Sequence, residues 1–263
     1  MNYVIDNFDQ ILNFAKGYGL VLSKKRAILR EYLQVMILDA LYLEKKAVNY
    51  CFVGGTSLRL LHGLDRFSED LDFDLTGRTL WQTDLLMDQV YKRLTKENLE
   101  IDMYQNKTEQ RKYYEFRFKG LLRELNISSN PDEKLTIKFD FETIWKGQEK
   151  EVFLLNKYGF LVNAVSIPLG QMLVQKLHAY LNRGETQPRD IYDMVWLLAR
   201  EVKIDKEYVR ANGLPADLAE QAVKKFEGEQ RRLKTFKSKL RPFLINENYE
   251  DNLDLFARLL QNQ

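Results

Sequence analysis

The chain has 263 residues, 45% of them hydrophobic, and a net charge of +2, so it can form a buried core and has no general excess of basic charge. Its single cysteine, Cys51, excludes an internal disulfide framework and a cysteine-based zinc site. No apolar run of about 18 residues and no signal-like start occur, so we expect a cytoplasmic protein without a membrane partner.

The N-terminal part of the chain predicts two helices. The first covers residues 7–17, and the second runs from about Lys24 to Leu43 with Ser23 as its N-cap. Apolar residues recur along the second helix at helical spacing, which predicts one broad stripe facing the core. These residues are Ile28, Leu29, Tyr32, Leu33, Met36, Ile37, Ala40 and Leu41.

A glycine turn follows the next apolar run. Phe52 and Val53 lead into Gly54, Gly55, Thr56 and Ser57, and helical spacing resumes at once, which predicts a strand, a tight turn and a helix N-terminus. Glycine lets backbone approach a ligand closely, and the first N–H groups of a helix attract negative charge. The segment from Gly54 to Ser57 is therefore a candidate phosphate-binding turn.

The loop after this turn leads into an acidic strand. Arg66 and Ser68 either position a phosphate or fix the loop. Asp70, Asp72 and Asp74 then fall on one face of a strand, because strand side chains alternate with period two. Neighbouring carboxylates repel one another unless a hard divalent cation such as Mg²⁺ offsets the repulsion. We expect Asp74 to be a solvated strand end rather than a metal ligand.

Residues 81–142 predict one helix and three strands. The helix covers Trp81 to Thr95, and the strands cover residues 99–104, 113–118 and 135–142. In the last strand Asp140 can complete a carboxylate trio with Asp70 and Asp72, which would form a two-metal clamp for in-line displacement on a triphosphate. Lys138 lies on the same face and would neutralise phosphate charge.

The chain becomes helical from Pro168 onward. One helix extends towards Gly184 and a second follows Pro188, with later helices expected over residues 217–240 and 251–260. The first two of these helices carry further candidate site residues. Lys176 lies in the first helix, and the others lie at the start of the second. These are Arg189, Asp190 and, as second choice after Asp190, Asp193.

Together these elements predict an α+β, bilobed protein. An α+β lobe with a mixed sheet and flanking helices covers residues 1–165, and a helical lobe covers residues 166–263. The basic stretch from Lys224 to Arg241 is the best nucleic-acid footprint in the sequence, although such a run is also typical of a solvated helix face. We expect Trp81, Trp145 and Trp196 to lie in the core.

Several motifs resemble one known family. Gly54-Gly55-Thr56 with Arg66-Phe67-Ser68-Glu69-Asp70-Leu71-Asp72 resembles the nucleotidyltransferase fold of the AbiEii/AbiGii-type toxins from type IV toxin–antitoxin systems. Lys138 to Thr143 matches that family's K-x-D-x-x-[ST] element. Lys176-Leu177-His178-Ala179 and Arg189-Asp190-Ile191-Tyr192-Asp193 are similar to its Lys and Asp motifs in the helical half.

The resemblance implies a metal-dependent nucleotidyltransferase with an NTP as donor. By analogy, Asp70, Asp72 and Asp140 bind the metal, and Lys176 and Asp190 are needed for activity. The implied acceptor is RNA, in particular the 3′ end of tRNA, and the implied partner is a separately encoded antitoxin. Two alternatives stay open, which are the same fold modifying a protein or small molecule such as an antibiotic, and a non-catalytic module that binds RNA or a partner.

Overall fold

A computed structural model describes residues 2–77, 80–108, 111–261 and 263. Its strands are β1 (Tyr50–Val53), β2 (Leu71–Leu75), β3 (Ile101–Lys107), β4 (Arg111–Phe118), β5 (Leu135–Glu142), β6 (Glu151–Lys157) and β7 (Phe160–Ser166). The α-helices are α1 (Tyr3–Asp6), α2 (Phe8–Gly17), α3 (Lys25–Tyr42), α4 (Gly54–His62), α5 (Gln82–Thr95), α6 (Leu121–Glu124), α7 (Leu169–Asn182), α8 (Pro188–Leu198), α9 (Lys206–Ala211), α10 (Leu218–Glu229), α11 (Leu233–Leu240) and α12 (Phe256–Leu260). Short 3₁₀ helices cover Lys45–Asn49, Gln230–Arg232, Arg241–Phe243 and Glu247–Leu255.

The chain folds into two compact units. The first comprises Met1–Ser57, Ser68–Ile144 and Val152–Ser166, and the second comprises Leu58–Phe67, Trp145–Glu151 and Ile167–Gln263. The α+β class with a helical C-terminal part is confirmed. The predicted domain limits, 1–165 and 166–263, stay a prediction; the compact units differ from them because two internal segments, 58–67 and 145–151, belong to the helical unit.

A five-stranded mixed sheet forms the centre of the first unit. Its strand order is β1-β2-β5-β4-β3, and β2 and β5 pair in parallel while every other neighbouring pair is antiparallel. A parallel pair requires a crossover, which here contains α5, β3 and β4. The pairing brings together two strands that are distant in sequence and aligns their carboxyl ends.

Aromatic side chains fill the apolar face of this sheet. Phe73 and Phe141 stack with ring centroids 5.0 Å apart, and Phe116 meets Phe139 edge-on at 4.8 Å. All four rings are buried. Alternation of residues along each strand sends these rings to one side and polar side chains to the other, as the sequence predicts.

Helix α3 is buried more completely than one apolar stripe would predict. It packs against α2, α5, β5 and β7 within the first unit, so Glu31 and Gln34 are enclosed as well as the apolar residues. The prediction of Ser23 as N-cap was wrong. The helix begins at Lys25, with Lys24 at the cap position and no side chain bonding the free N–H groups.

Strands β6 and β7 form a separate two-stranded sheet whose tip is anchored on α3. The turn residues Tyr158 and Gly159 both have positive φ, 54° and 84°, as a type I′ hairpin turn requires. Tyr158 is buried, and its hydroxyl donates a hydrogen bond to Glu31 Oε1 at 3.0 Å. This bond satisfies a carboxylate that would be costly to bury alone.

The second unit is organised around α8, which packs against α7, α11, α12 and the 3₁₀ helix Glu247–Leu255. Trp196 in α8 is buried, which confirms its predicted place in the core. Trp145 is half-buried and stacks on Tyr208 with centroids 5.6 Å apart. The prediction for Trp81 was wrong: it is 69% exposed, because it precedes α5 and lies outside the buried face of that helix. In the part of the chain described, no helix combines the length and apolarity that membrane crossing requires.

Replacement of a sheet ring tests the packing of the first unit. We expect Phe116→Ala to lower the free energy of unfolding by about 3–5 kcal/mol, because it leaves a cavity against Phe139. Leu161→Ala, at a position 64% exposed on β7, should change it by no more than about 0.5 kcal/mol. Urea unfolding of both variants measures the difference, and equal effects would contradict the described core.

Candidate functional site

Gly54 allows an aspartate to lie against the first turn of α4. Its φ is 76°, a backbone conformation that L side chains rarely adopt. A Cβ built at this position would collide with the carboxylate of Asp72. The glycine is therefore required twice, once for the backbone conformation and once for the space that the Asp72 side chain occupies.

The hydroxyls of the turn are used to fix it rather than left open for a ligand. Thr56 and Ser57 are fully buried. The Thr56 hydroxyl donates to the carbonyl of Asp70, and Ser57 Oγ lies 3.2 Å from Ser166 Oγ, which donates to the Phe52 carbonyl at 2.6 Å. Of the predicted phosphate-binding groups in this turn, the backbone N–H groups at the start of the helix remain suited to an anion.

Two of the predicted carboxylates lie side by side. Asp72 on β2 and Asp140 on β5 are direct partners in the parallel pair, so their side chains project from the same face of the sheet, and both are half-buried. Asp70 is also half-buried and lies just before β2 begins. The parallel register therefore joins Asp72 and Asp140 directly and leaves Asp70 outside the strand pairing.

Carboxylate oxygens are the ligands that Mg²⁺ prefers. Asp72 and Asp140 could therefore supply two ligands to one divalent ion. The described residues nevertheless contain no group of three or more His, Cys, Asp or Glu side chains arranged to hold a metal ion. A cation of the protein itself lies beside Asp140, since the Nε of Arg111 is 2.8 Å from Asp140 Oδ1 and 3.1 Å from Glu142 Oε1. A metal ion bound to Asp140 Oδ1 would compete with this guanidinium.

Arg111 is a candidate site residue that the motifs did not indicate. It opens β4 opposite Glu142 and lines a small cavity of about 260 Å³ together with Lys107, Tyr113 and Asp140. Burial, the hydrogen bond to Glu115 and the charge of Asp140 among others raise the pKa of Tyr113. Only the antiparallel β4–β5 register brings Arg111 to Asp140, and no spacing in the sequence indicates it.

Helix α3 holds the loop that leads to Asp70. The amide of Gln34 donates to the carbonyls of Ser68 and Glu69 at 3.2 and 2.9 Å, and Arg30 pairs with Glu69 at 2.8 Å. Ser68 thus takes part through its backbone. Gln34 was missed in the sequence, although a polar residue inside the apolar stripe of α3 was a usable signal.

Two further predicted positions differ in their surroundings. Asp74 is only 3% exposed, so its interpretation as a solvated strand end was wrong; it lies inside the sheet between β1 and β5. Lys138 is exposed on β5, and no carboxylate among the described residues lies within ion-pair distance of its amino group. Glu115, its partner on β4, is the nearest described carboxylate by strand register, and, against the effect of burial, the charge of Lys138 helps to lower the pKa of Glu115.

The second unit contains a buried charge cluster around Lys176. Arg66 donates hydrogen bonds of 2.7 Å from Nε and Nη2 to the two carboxylate oxygens of Asp193. Its Nη1 donates a third hydrogen bond to the carbonyl of Phe67. Lys176 Nζ lies 2.8 Å from Asp193 Oδ2 and 3.0 Å from Asp190 Oδ1. Arg183, which the motifs did not indicate, pairs with the other oxygen of Asp190.

The cluster keeps Lys176 and Asp193 ionised. Burial disfavours the charge on Lys176, but the carboxylates of Asp193 and Asp190 outweigh it and hold the pKa of Lys176 above its ordinary value. Burial likewise opposes the charge on Asp193, but Arg66 and Lys176 hold its pKa below the usual range. Lys176 is therefore an ammonium at neutral pH and cannot act as a general base. Arg66 bonds to Asp193 and to the Phe67 carbonyl, contacts that suit the role of fixing the loop; its role stays a prediction.

Arg189 and the basic stretch of the second unit have partners of their own. The guanidinium of Arg189 lies 4.5 Å above the ring of Phe243. In the stretch from Lys224 to Arg241, several basic groups pair with carboxylates: Lys237 with Asp251 and Asp254, Lys239 with Glu185, and Arg241 with Glu250. RNA contact by this stretch stays a prediction, supported by fewer unneutralised charges than the sequence indicates.

Comparison with known proteins agrees with this architecture. A family model described as "Nucleotidyl transferase AbiEii toxin, Type IV TA system" matches residues 37–262. The solved structure of JHP933 from Helicobacter pylori is similar at 20% identity and a TM-score of 0.56, covering 90% of both chains. A second H. pylori structure, of a candidate nucleotidyltransferase, is 22% identical with a TM-score of 0.53, covering 87% of this chain and 92% of that one. At these identities the likeness extends to the fold alone. No curated protein matches the chain.

Gly54 and Gly63 provide a matched pair of substitutions. Both have positive φ, 76° and 79°, but a Cβ at Gly63 meets nothing within 4 Å. We expect Gly63→Ala to cost about 1 kcal/mol of unfolding free energy through backbone strain, and Gly54→Ala about 1–3 kcal/mol more because it collides with Asp72. Urea unfolding measures both, and equal costs would show that the close approach of Asp72 is absent.

The buried charge cluster predicts a pH-dependent stability difference. Asp193→Asn leaves Arg66 and Lys176 without their shared carboxylate and should lower the free energy of unfolding by about 3–5 kcal/mol at pH 7. Because the pKa of Asp193 is depressed on folding, its contribution is complete above the ordinary aspartate pKa and is lost as pH falls through the depressed value. The gap between the wild type and the variant should therefore shrink below about pH 4. Urea unfolding at pH 7, 5 and 3 checks this, and a gap independent of pH would exclude an ionised Asp193.

Proposed function

The chain belongs to the AbiEii family of nucleotidyltransferase toxins from type IV toxin–antitoxin systems, and on this basis we propose that it transfers nucleotides from an NTP to RNA in a metal-dependent reaction. Membership in this family makes it a nucleotidyltransferase and implies a cognate antitoxin. The observation that carries the proposal for the site is the parallel pairing of Asp72 with Asp140, together with the approach of Asp72 to the glycine turn. Carboxylates beside a helix N-terminus can serve a cation and a triphosphate together.

We assign Asp70, Asp72 and Asp140 to metal binding, with Mg²⁺ as the ion that their oxygens favour. When bound, such ions lower the pKa of an attacking hydroxyl and neutralise phosphate charge. The backbone of Gly54 and Gly55 would hold phosphate oxygens at the start of α4. Arg111, next to Asp140, would supply positive charge to the triphosphate.

The remaining candidate residues supply positive charge and position. Lys138 is exposed and suited to phosphate binding. We propose that Lys176 contributes its ammonium charge to binding the nucleotide or the acceptor, which its raised pKa supports. Asp190 would orient Lys176 through their 3.0 Å contact, and Arg189 would add charge at the start of α8.

For the acceptor we propose tRNA, at its 3′ end, which would block translation in the cytoplasm. The support is the family to which the chain belongs, whose activity is directed against its own cell until an antitoxin intervenes. Transfer to a protein or to a small molecule would use the same donor site and the same metal. The experiment therefore has to separate the three classes of acceptor.

The test is incubation of the purified protein with total tRNA, protein extract and small metabolites, in Mg²⁺, with each labelled NTP in turn. We expect label on tRNA with a preferred NTP, and a loss of about 100-fold or more in Asp72→Asn, which removes a charge without changing shape. Asp88→Asn, at a half-buried position on α5 that pairs with Lys92, should transfer at the rate of the wild type.

The other outcomes are distinct. If label appears only in the protein or metabolite fraction, the proposed donor site stays supported and tRNA is excluded as the acceptor. Equal transfer by Asp72→Asn and the wild type, both folded by circular dichroism, would overturn the assignment of the carboxylate pair.

A further inference from the structure

A cavity of about 320 Å³ lies in the first unit, apart from the glycine turn and the paired aspartates. Helices α1, α2, α3 and α5 and the tip of the β6–β7 hairpin form its walls. Its volume is in the range of small-molecule sites. The lining combines aromatic rings with carboxylates, and its main groups are Tyr3, Phe14, Tyr32, Asp39, Glu97 and Phe160.

Tyr32 presents an unpartnered hydroxyl to this cavity. The residue is 3% exposed, and its hydroxyl has no hydrogen-bond partner among residues 2–77, 80–108, 111–261 and 263. Burial is the largest cause that raises the pKa of this hydroxyl, and the neighbouring Tyr3 and Glu97, both in the cavity wall, raise it further. Because this hydroxyl has no partner and its side chain lines the cavity, it can donate a hydrogen bond to a ligand there or accept one from it.

The charge of the cavity wall favours a cation. Among its described residues, Asp39 and Glu97 supply two carboxylates against the single guanidinium of Arg93. Burial raises the pKa of Asp39, and Arg93 partly offsets that effect, so the two groups influence each other directly. One negative charge is left over, next to hydroxyl oxygens that can accept hydrogen bonds.

Aromatic rings complete the wall. Tyr158 meets Phe14 and Tyr32 edge-on at 6.4 and 5.7 Å, and Phe160 lies 5.8 Å from Tyr32. Such rings attract ammonium and guanidinium groups through their π faces and also cover an apolar stem. A bare metal ion would find too few oxygen ligands here, and a phosphate would be repelled by the carboxylates.

We propose that this cavity binds an organic cation, an ammonium or guanidinium group on a short apolar stem. The charged end is held by Asp39, Glu97 and the Tyr32 hydroxyl, and the stem packs against the rings. The same chemistry is found in a free amine and in a lysine or arginine side chain of another protein. The proposal is independent of the transfer reaction, because none of these residues belongs to the candidate nucleotide site.

Calorimetry on the full chain tests this with three probes: n-pentylammonium, agmatine and a capped Gly-Lys-Gly peptide. We expect Asp39→Asn to weaken binding at least about tenfold, because a charge-assisted hydrogen bond is lost. Tyr32→Phe should weaken it about three- to tenfold through the loss of one neutral hydrogen bond. Asp9→Asn, an exposed change on α2 outside the cavity, should have no effect. Unchanged urea midpoints would show that each variant is folded.

The probes also separate the two sources of the cation. Binding of the free amines supports the proposal with a small metabolite as ligand, and binding of the peptide alone supports it with a protein side chain. The proposal is overturned if none of the three binds, if n-pentanol binds as well as n-pentylammonium, or if Asp39→Asn binds as tightly as the wild type.

Discussion

The parallel pairing of β2 with β5 is the constraint on which the first unit depends. One register sets Phe73 beside Phe141 on the apolar face and Asp72 beside Asp140 on the other. A slip by one residue would turn the aspartates into the core and the rings to the polar side. The burial of the aromatic rings therefore stabilises the arrangement that holds two carboxylates next to each other, so the free energy of the core fixes the geometry of the candidate site.

The second unit contains a lysine, Lys176, that stays charged although its surroundings are largely buried. Lys176 shares Asp193 with Arg66 and shares Asp190 with Arg183. Lys176, Asp193 and Arg66 each have an oppositely charged partner, and these partners outweigh burial and hold each of the three groups in its charged form. Such a network contributes little net stability compared with an apolar core. Removing one of its charged groups nevertheless lowers the free energy of unfolding strongly, because the opposite charge is left buried without a partner. Its value here is that an ammonium group is fixed in position and in protonation state.

Side-chain surroundings separate the predictions that the structure confirmed from those that were wrong. The strand before Gly54 and the helix after it were predictable, because alternation and helical spacing act locally; the separate tight turn was not found, since α4 begins at Gly54 itself. The buried state of Asp74 was not predictable, since it depends on β1 and β5, which pair with β2 from other parts of the chain. The exposed state of Trp81 was missed because α5 begins one residue later than predicted. The hydrogen bonds of the Thr56 and Ser57 hydroxyls could not be predicted either, because their partners, the Asp70 carbonyl and Ser166, lie in other segments of the chain.

The sequence by itself determined which residue types were available and which face of each strand they occupied, including the aspartates of β2 and β5, because a period of two needs no tertiary information. It also carried the family motifs in their order. Only the tertiary structure decided that Arg111 reaches Asp140, that Gln34 holds the loop before Asp70, and that Asp193 anchors Arg66. These contacts depend on strand register and helix packing, which are set by burial over the whole unit and leave no short pattern in the chain.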